Sequence, residues 1–194
     1  MQKTNEEALL AALRDFFLAA NADALVTAYA ALQAVAPEPA PAVDDWLPVE
    51  FAFNRLFVGP RTLLAPPYAS VYLDPEPQLM GRITLQIRQL YQLLDLRVPW
   101  ENVIPDDHLS FELDLCRQLS VARGMVVSPE LEAIYVYLIA HMRRWVPQFV
   151  VRVRAARAVP PALGFVVEQL GRWLDTASLG VDSFPQLEWT GVIG

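Results

Sequence analysis

The chain has 194 residues, 54% of them hydrophobic, which is enough for one sizeable core and forces no second domain. A formal net charge of −7 and a pI near 4.8 exclude a nucleic-acid binder built on clustered Lys and Arg, and favour a basic partner instead. The lone cysteine, Cys116, excludes an internal disulfide and suits a reducing cytoplasm; with only His108 and His141 beside it, no zinc set forms without heavy use of carboxylates.

Thr4 followed by Glu7 reads as a capping box, and Leu9, Leu10, Leu13, Phe16 and Phe17 recur at helical spacing, which predicts a first helix from about Asn5 to Ala20. Arg14 and Asp15 interrupt its apolar run, so neither a signal peptide nor a membrane span is expected, and the expected location is cytoplasmic. Asp23 opens an Ala-rich second helix. Pro37, Pro39 and Pro41 then rule out regular structure over residues 36–43, a surface loop across which a domain-swapped dimer, as well as a monomer, is compatible with the chain.

From Pro48 to Val58 the spacing predicts a helix presenting Phe51, Phe53, Leu56 and Phe57, stopped by Gly59-Pro60. Pro66 to Leu73 reads as irregular or a single turn, and Asp74 to Pro77 as the next turn. Leu79, Met80, Ile83, Ile87, Leu90, Tyr91 and Leu94 form a helical stripe that contains Gly81; a glycine inside a helix marks a close approach by backbone or ligand. After a loop from Leu96 to Ile104, Pro105 starts a helix reaching about Gly124, with Asp106 and Asp107 at its positive end. On its wheel, Asp106, Ser110, Asp114 and Arg117 share a polar arc and the rest is apolar, the pattern of a central buried helix. Ser128-Pro129-Glu130 caps another helix, which is expected to kink or restart at Pro147, and a last one spans Pro161 to Leu179. No stretch alternates convincingly, so the fold class is all-α, a single-domain helical bundle.

The candidate chemistry gathers at this central helix. Glu112 falls in its apolar arc one turn after His108, which predicts an imidazole and a carboxylate within reach of each other. Three readings fit: a base or metal cluster of Asp107, His108 and Glu112; a structural pair in which His108 satisfies Glu112 and the helix end; or a recognition site for a basic ligand beside an apolar groove. No nucleophile motif or phosphate loop supports the first. The aromatic series Phe53, Phe57, Tyr68, Tyr72 and Tyr91 is core by default, yet it flanks a break in regular structure where a groove could form. Acids crowd residues 95–114, whereas residues 133–167 carry Arg143, Arg144, Arg152, Arg154 and Arg157 and no acid.

Arg55-Leu56-Phe57-Val58-Gly59-Pro60, Pro66-Pro67-Tyr68-Ala69-Ser70-Val71-Tyr72-Leu73-Asp74, Gly81, and Pro105-Asp106-Asp107-His108-Leu109 with Glu112-Leu113 resemble, in order and spacing, the TorD/DmsD family. Its members are all-helical cytoplasmic redox-enzyme maturation chaperones, more distantly similar to NarJ nitrate reductase chaperones. The likeness covers residues 51–120 closely, and His141 with Trp145 and Phe149 also fits. It implies a chaperone, not an enzyme, that holds the twin-arginine signal peptide and the apo form of a molybdopterin oxidoreductase of the DMSO/TMAO reductase type, with no cofactor of its own. The family's peptide-binding positions fall on Phe53, Leu56, Phe57, Gly81, Pro105, Asp107 and His108. Phe53 stands where the DMSO reductase chaperones carry tryptophan, and Arg61 where they carry another aromatic, a change that alters which leader is accepted.

The residues support that implication independently. A leader of this kind combines two arginines with an apolar segment, and arginine's planar fork binds both oxygens of a carboxylate. The expected site joins Asp107, with Asp106, to the arginine pair; Phe53, Leu56 and Phe57 to the apolar segment; and Arg61, Tyr68, Tyr72 and Glu112 to the groove around them. The other readings are a helical module that escorts only the mature part of a client, and a nucleotide (GTP)-regulated protein.

Overall fold

The computed structural model describes residues 3–60, 62–74, 81–97 and 103–179. Among them all regular structure is helical: α1 Lys3–Phe17, α2 Ala22–Val35, α3 Leu47–Phe53, α4 Ser70–Leu73, α5 Arg82–Leu93, α6 Leu109–Met125, α7 Pro129–Ala155 and α8 Pro161–Ser178. No helix among the described residues is long and apolar enough to cross a membrane.

Local chemistry sets most boundaries. Asn21 caps α2 by accepting from Ala24 N at 3.0 Å, and Ser128 caps α7 by accepting from Leu131 N at 3.2 Å, each removing one unsatisfied donor of a first turn. α1 includes Lys3, and the Thr4 side chain on which the predicted capping box depends lies outside the described part of the structure; Glu7 accepts from Arg117 of α6 at 3.2 Å. After Phe53 the helix widens over Asn54–Val58, where Gly59 N donates to Asn54 O at 2.9 Å, five residues back. Gly59 ends the turn at φ 109°, a conformation that glycine adopts without a Cβ penalty.

Three expectations are corrected. Gly81 lies just before α5, at its N-cap with φ −77° and ψ −168°, not within it. The helix does not restart at Pro147: α7 is one run of 27 residues, Pro129–Ala155, with Pro147 inside it. And the central helix begins at Leu109, so Pro105, Asp106 and Asp107 form the turn ahead of it rather than its first turn. The predicted turn at 74–77, the start of the stripe at Leu79 and Met80, and Arg61 fall wholly or partly outside the described residues.

The core is a layered bundle. α1 packs on α2 and α6, α6 on α7, and α7 on α8, while the short α4 joins α5 to α7. α6 is the inner helix: every residue from Leu109 to Cys116 is buried. Aromatic rings knit the layers edge to face, with Phe16–Phe53 at 5.8 Å, Phe53–Phe57 at 5.2 Å and Phe17–Phe57 at 5.6 Å, while Phe57 and Phe149 meet tilted at 5.6 Å. Polar ties cross the seams: Asp114 of α6 accepts from Arg14 of α1 at 2.7 Å and from Arg117 and Gln118 on its own helix. Burial would raise its pKa, but those hydrogen bonds outweigh burial and hold it below the ordinary carboxylate value.

Candidate functional site

The turn Pro105-Asp106-Asp107-His108 is stitched into the molecule at each residue. His108 N donates to Pro105 O at 3.0 Å, closing the turn, and residues 67–70 run antiparallel alongside it: Leu109 N reaches Pro67 O at 2.8 Å and Ala69 N reaches Asp107 O at 3.1 Å. Asp107 is wholly buried, and both its oxygens are engaged. Ser70 N donates to Oδ2 at 2.8 Å and Thr84 Oγ1 donates to Oδ1 at 2.7 Å, so one carboxylate ties the α6 mouth to α4 and α5. Asp106, also wholly buried, accepts both Nε and Nη2 of Arg88 on α5, the latter at 3.2 Å. The two neighbouring acids thus serve different ends, one receiving neutral donors and the other a guanidinium.

His108 is the N-cap of α6: its Nδ1 accepts from Ser110 N at 3.2 Å and faces Ser110 Oγ at 2.6 Å. Its ring meets Tyr68 edge to face at 5.0 Å and Phe111 at 5.8 Å. Burial pushes its pKa down to about 4 against the opposing pull of Asp107, so the imidazole is neutral at physiological pH.

The expected pairing of His108 with Glu112 does not occur. Glu112 turns toward α7, where His141 Nε2 lies 3.0 Å from Oε1 and Trp145 Nε1 donates to Oε2 at 3.0 Å. Burial raises the Glu112 pKa, with His141 and Trp145 opposing. The reason is geometric. The (i, i+4) rule holds for two helical residues, and His108 at φ −68°, ψ 137° is extended, ahead of the helix.

The aromatic and apolar candidates divide by depth. Phe53, Leu56 and Phe57 are core residues, no more than 3% exposed, on the inner face of α3 and its wide turn. Tyr68, Tyr72, Gly81 and Pro105 are half-buried and supply the accessible border of the turn. Tyr72 donates to Pro66 O at 2.9 Å, lies against Trp145 at 5.6 Å and carries Arg152 over its ring at 4.5 Å; burial pushes its hydroxyl up to about 12 despite that cation. Tyr91 of α5 anchors to Phe111 O at 2.7 Å. Among the described residues no group of three or more His, Cys, Asp and Glu side chains is arranged to hold a metal, and buried Cys116, its thiol pushed far up by burial, donates only to Met142 Sδ at 3.6 Å.

Sequence reasoning missed Ser70, Thr84 and Arg88 as partners of the acids. Thr84 and Arg88 stand one helical turn apart on α5, and that (i, i+4) polar pair beside the apolar stripe was the available signal. A separate exposed apolar surface lies on the outer face of α3: a groove of about 380 Å³ lined by Leu47, Pro48, Phe51, Ala52, Arg55 and Ala158, with Phe51 66% exposed.

The family model described as nitrate reductase delta subunit matches residues 18–151. The chain is similar to a chaperone protein TorD of Ferrimonas balearica, 37% identical over 100 residues, covering 50% of this chain and 45% of that protein. It is likewise similar to the Tat proofreading chaperone DmsD of Salmonella typhimurium, 38% identical over 69 residues, covering 36% of this chain and 34% of that one. A TorD of Vibrio cholerae is 30% identical over 114 residues, covering 56% and 51%. The chain thus spans about half or less of the length of the curated relatives it matches. Among solved structures, a protein described as a redox enzyme maturation protein from Archaeoglobus fulgidus shares the fold, with a TM-score of 0.56 and 19% identity over 87% of this chain and 93% of that one.

Proposed function

We propose, from the premise that this chain belongs to the nitrate reductase delta subunit family, that it is a TorD/DmsD-type chaperone for an exported molybdopterin oxidoreductase of the DMSO/TMAO reductase type. In this reading it acts in the cytoplasm as a non-catalytic protein, holding the twin-arginine signal peptide and the apoenzyme while the cofactor is loaded and before export. The observation that carries the reading is the acidic turn at the mouth of α6. A carboxylate seated for a guanidinium, Asp106 under Arg88, belongs to the same turn as His108, whose ring meets the half-buried Tyr68, and arginine next to apolar residues is what distinguishes such a leader.

The candidate residues take different parts in this reading. Asp106 receives arginine. Asp107 and His108 hold the turn from behind, acting through its geometry rather than by touching the peptide. Tyr68, Tyr72, Gly81 and Pro105, with Arg61, border the peptide, and Phe53, Leu56, Phe57 and Glu112 support that border from the core.

Calorimetry of the full chain with a synthetic leader carrying Arg-Arg, against the same leader carrying Lys-Lys, tests the proposal. Lysine cannot make the two-pronged bond, so the Arg-Arg leader is expected to bind at least tenfold more tightly. Equal affinities, or capture of a client precursor that is unchanged when its leader is removed, would favour a chaperone of the mature domain instead.

A further inference from the structure

We infer that Arg88 is an internal stand-in for the client's arginine: in the unliganded chain it occupies the Asp106 carboxylate, and the leader binds by exchanging one guanidinium for another at that seat. The inference rests on the proposed leader-binding reading and adds to it which acid is the receptor and what controls access.

Depth makes the first argument. The side chain of Asp106 is 0% exposed and that of Arg88, bonded to it, is 22% exposed, so the carboxylate is buried against a side chain that itself reaches solvent. Asp107 has no such outlet, since its oxygens are committed to the Ser70 amide and the Thr84 hydroxyl, both buried. Of the two acids of the turn, Asp106 is therefore the one whose seat a cation from outside can reach by displacing another.

Chemistry makes the second. Arg88 meets both oxygens of Asp106 through Nε and Nη2, a side-on geometry that ammonium cannot reproduce. A carboxylate this deep cannot be left unpaired without a large penalty, so the seat is never empty and recognition proceeds by replacement. Replacement selects for a second guanidinium and against lysine. A further polar group nearby lacks a partner: Ser70, whose amide holds Asp107, has a fully buried hydroxyl with no hydrogen bond. An entering peptide group can satisfy it.

The placement of Arg88 suits an exchangeable plug. It stands on α5, whereas Asp106 stands on the turn before α6, and α5 keeps its place through Ile83, Ile87, Leu90, the Thr84–Asp107 bond and the Tyr91–Phe111 bond when Arg88 swings out.

Two measurements on the full chain test this. In calorimetry with the Arg-Arg leader, Arg88→Gln removes the competitor and is expected to bind at least tenfold more tightly than wild type. Arg88→Lys, which keeps the charge but gives up the fork, is expected to gain a few-fold, and Asp106→Asn to lose binding. Wild type that binds the leader while Arg88→Gln and Arg88→Lys bind no better would overturn the exchange and leave the leader-binding reading standing; wild type that does not bind overturns that reading by itself. The second measurement needs no client. Millimolar ethylguanidinium, but not ethylammonium, is expected to raise the melting temperature of Arg88→Ala while leaving wild type unmoved. An Arg88→Ala protein that responds to both cations alike, or to neither, would contradict a guanidinium-selective seat.

Discussion

At the scale of single residues, Asp106 and Asp107 show how little sequence adjacency says about role. Both are buried acids in one turn, but one faces a charged donor near solvent and the other faces two neutral donors in the interior. His108 beside them carries a pH dependence whose sign follows from its neutrality. Its pKa falls from 6.5 to about 4 on folding, so the unfolded chain takes up a proton between those values that the folded chain refuses. Stability from this residue is complete above pH 6.5 and declines as pH falls toward 4, by about 3 kcal/mol at most. Urea unfolding at pH 7 and pH 5 should show that loss in wild type and much less of it in His108→Asn, which keeps an N-cap but does not titrate. An equal pH slope in both would remove His108 as the cause. The residues around this turn made Asp106, Asp107 and His108 legible as the pivot, yet hid their partners: the spacing of Thr84 and Arg88 marks a polar pair on α5, but that the pair, with Ser70, meets these acids is set by tertiary contacts. Glu112 was legible as a polar intruder on an apolar face; that it serves His141 and Trp145 depends on how α6 and α7 pack. Truncating it as Glu112→Ala strands the buried indole N–H and imidazole, and a loss of about 2–4 kcal/mol in urea unfolding is expected.

At the scale of elements, periodicity read well wherever one face is buried and poorly where a single residue breaks a rule. The Ile83–Tyr91 stripe became α5, and the nearly all-apolar wheel became the buried α6. Pro147 reads as a break because proline removes an N–H and crowds the preceding turn. α7 nonetheless continues through it, since Trp145, Val146, Phe149 and Val150 on either side are buried and hold the helix against its neighbours, while Pro147 itself faces out. Tertiary packing overrides the local preference at a cost, and the cost should be recoverable. Pro147→Ala restores the missing helix donor on an exposed face and is expected to raise stability by about 1–2 kcal/mol, the gain being reduced by the extra freedom of the unfolded chain. A lower midpoint in urea would mean that the proline shapes α7 in a way the bundle needs.

At the scale of the whole molecule, the helix formed by α3 and its wide turn works in two directions. Phe53 and Phe57 point into the aromatic seam shared with α1 and α7 and Leu56 is buried beside them in the core, while Leu47 and Phe51 face outward along the groove and Val58 is exposed. From the sequence, Phe51 groups with the inner residues as one apolar set, although Phe51 and Phe53, two residues apart on the regular α3, lie on opposite faces; the widening after Phe53 then sets where Leu56 and Phe57 fall. The division gives a test that separates support from contact. Phe57→Ala empties a site bordered by Phe17, Phe53 and Phe149, and a loss of about 3–5 kcal/mol is expected; Phe51→Ala, at an exposed position, should stay within about 0.5 kcal/mol. Leader affinity measured well below the melting temperature then distinguishes their roles. If Phe57 acts only by supporting the border, a folded Phe57→Ala protein loses affinity together with its stability, and a second substitution that recovers part of the stability, Pro147→Ala, recovers part of the affinity with it. An affinity that stays unchanged while stability partly recovers would put Phe57 in contact with the peptide, and would mean that the aromatic seam between Phe57 and α7 opens on binding.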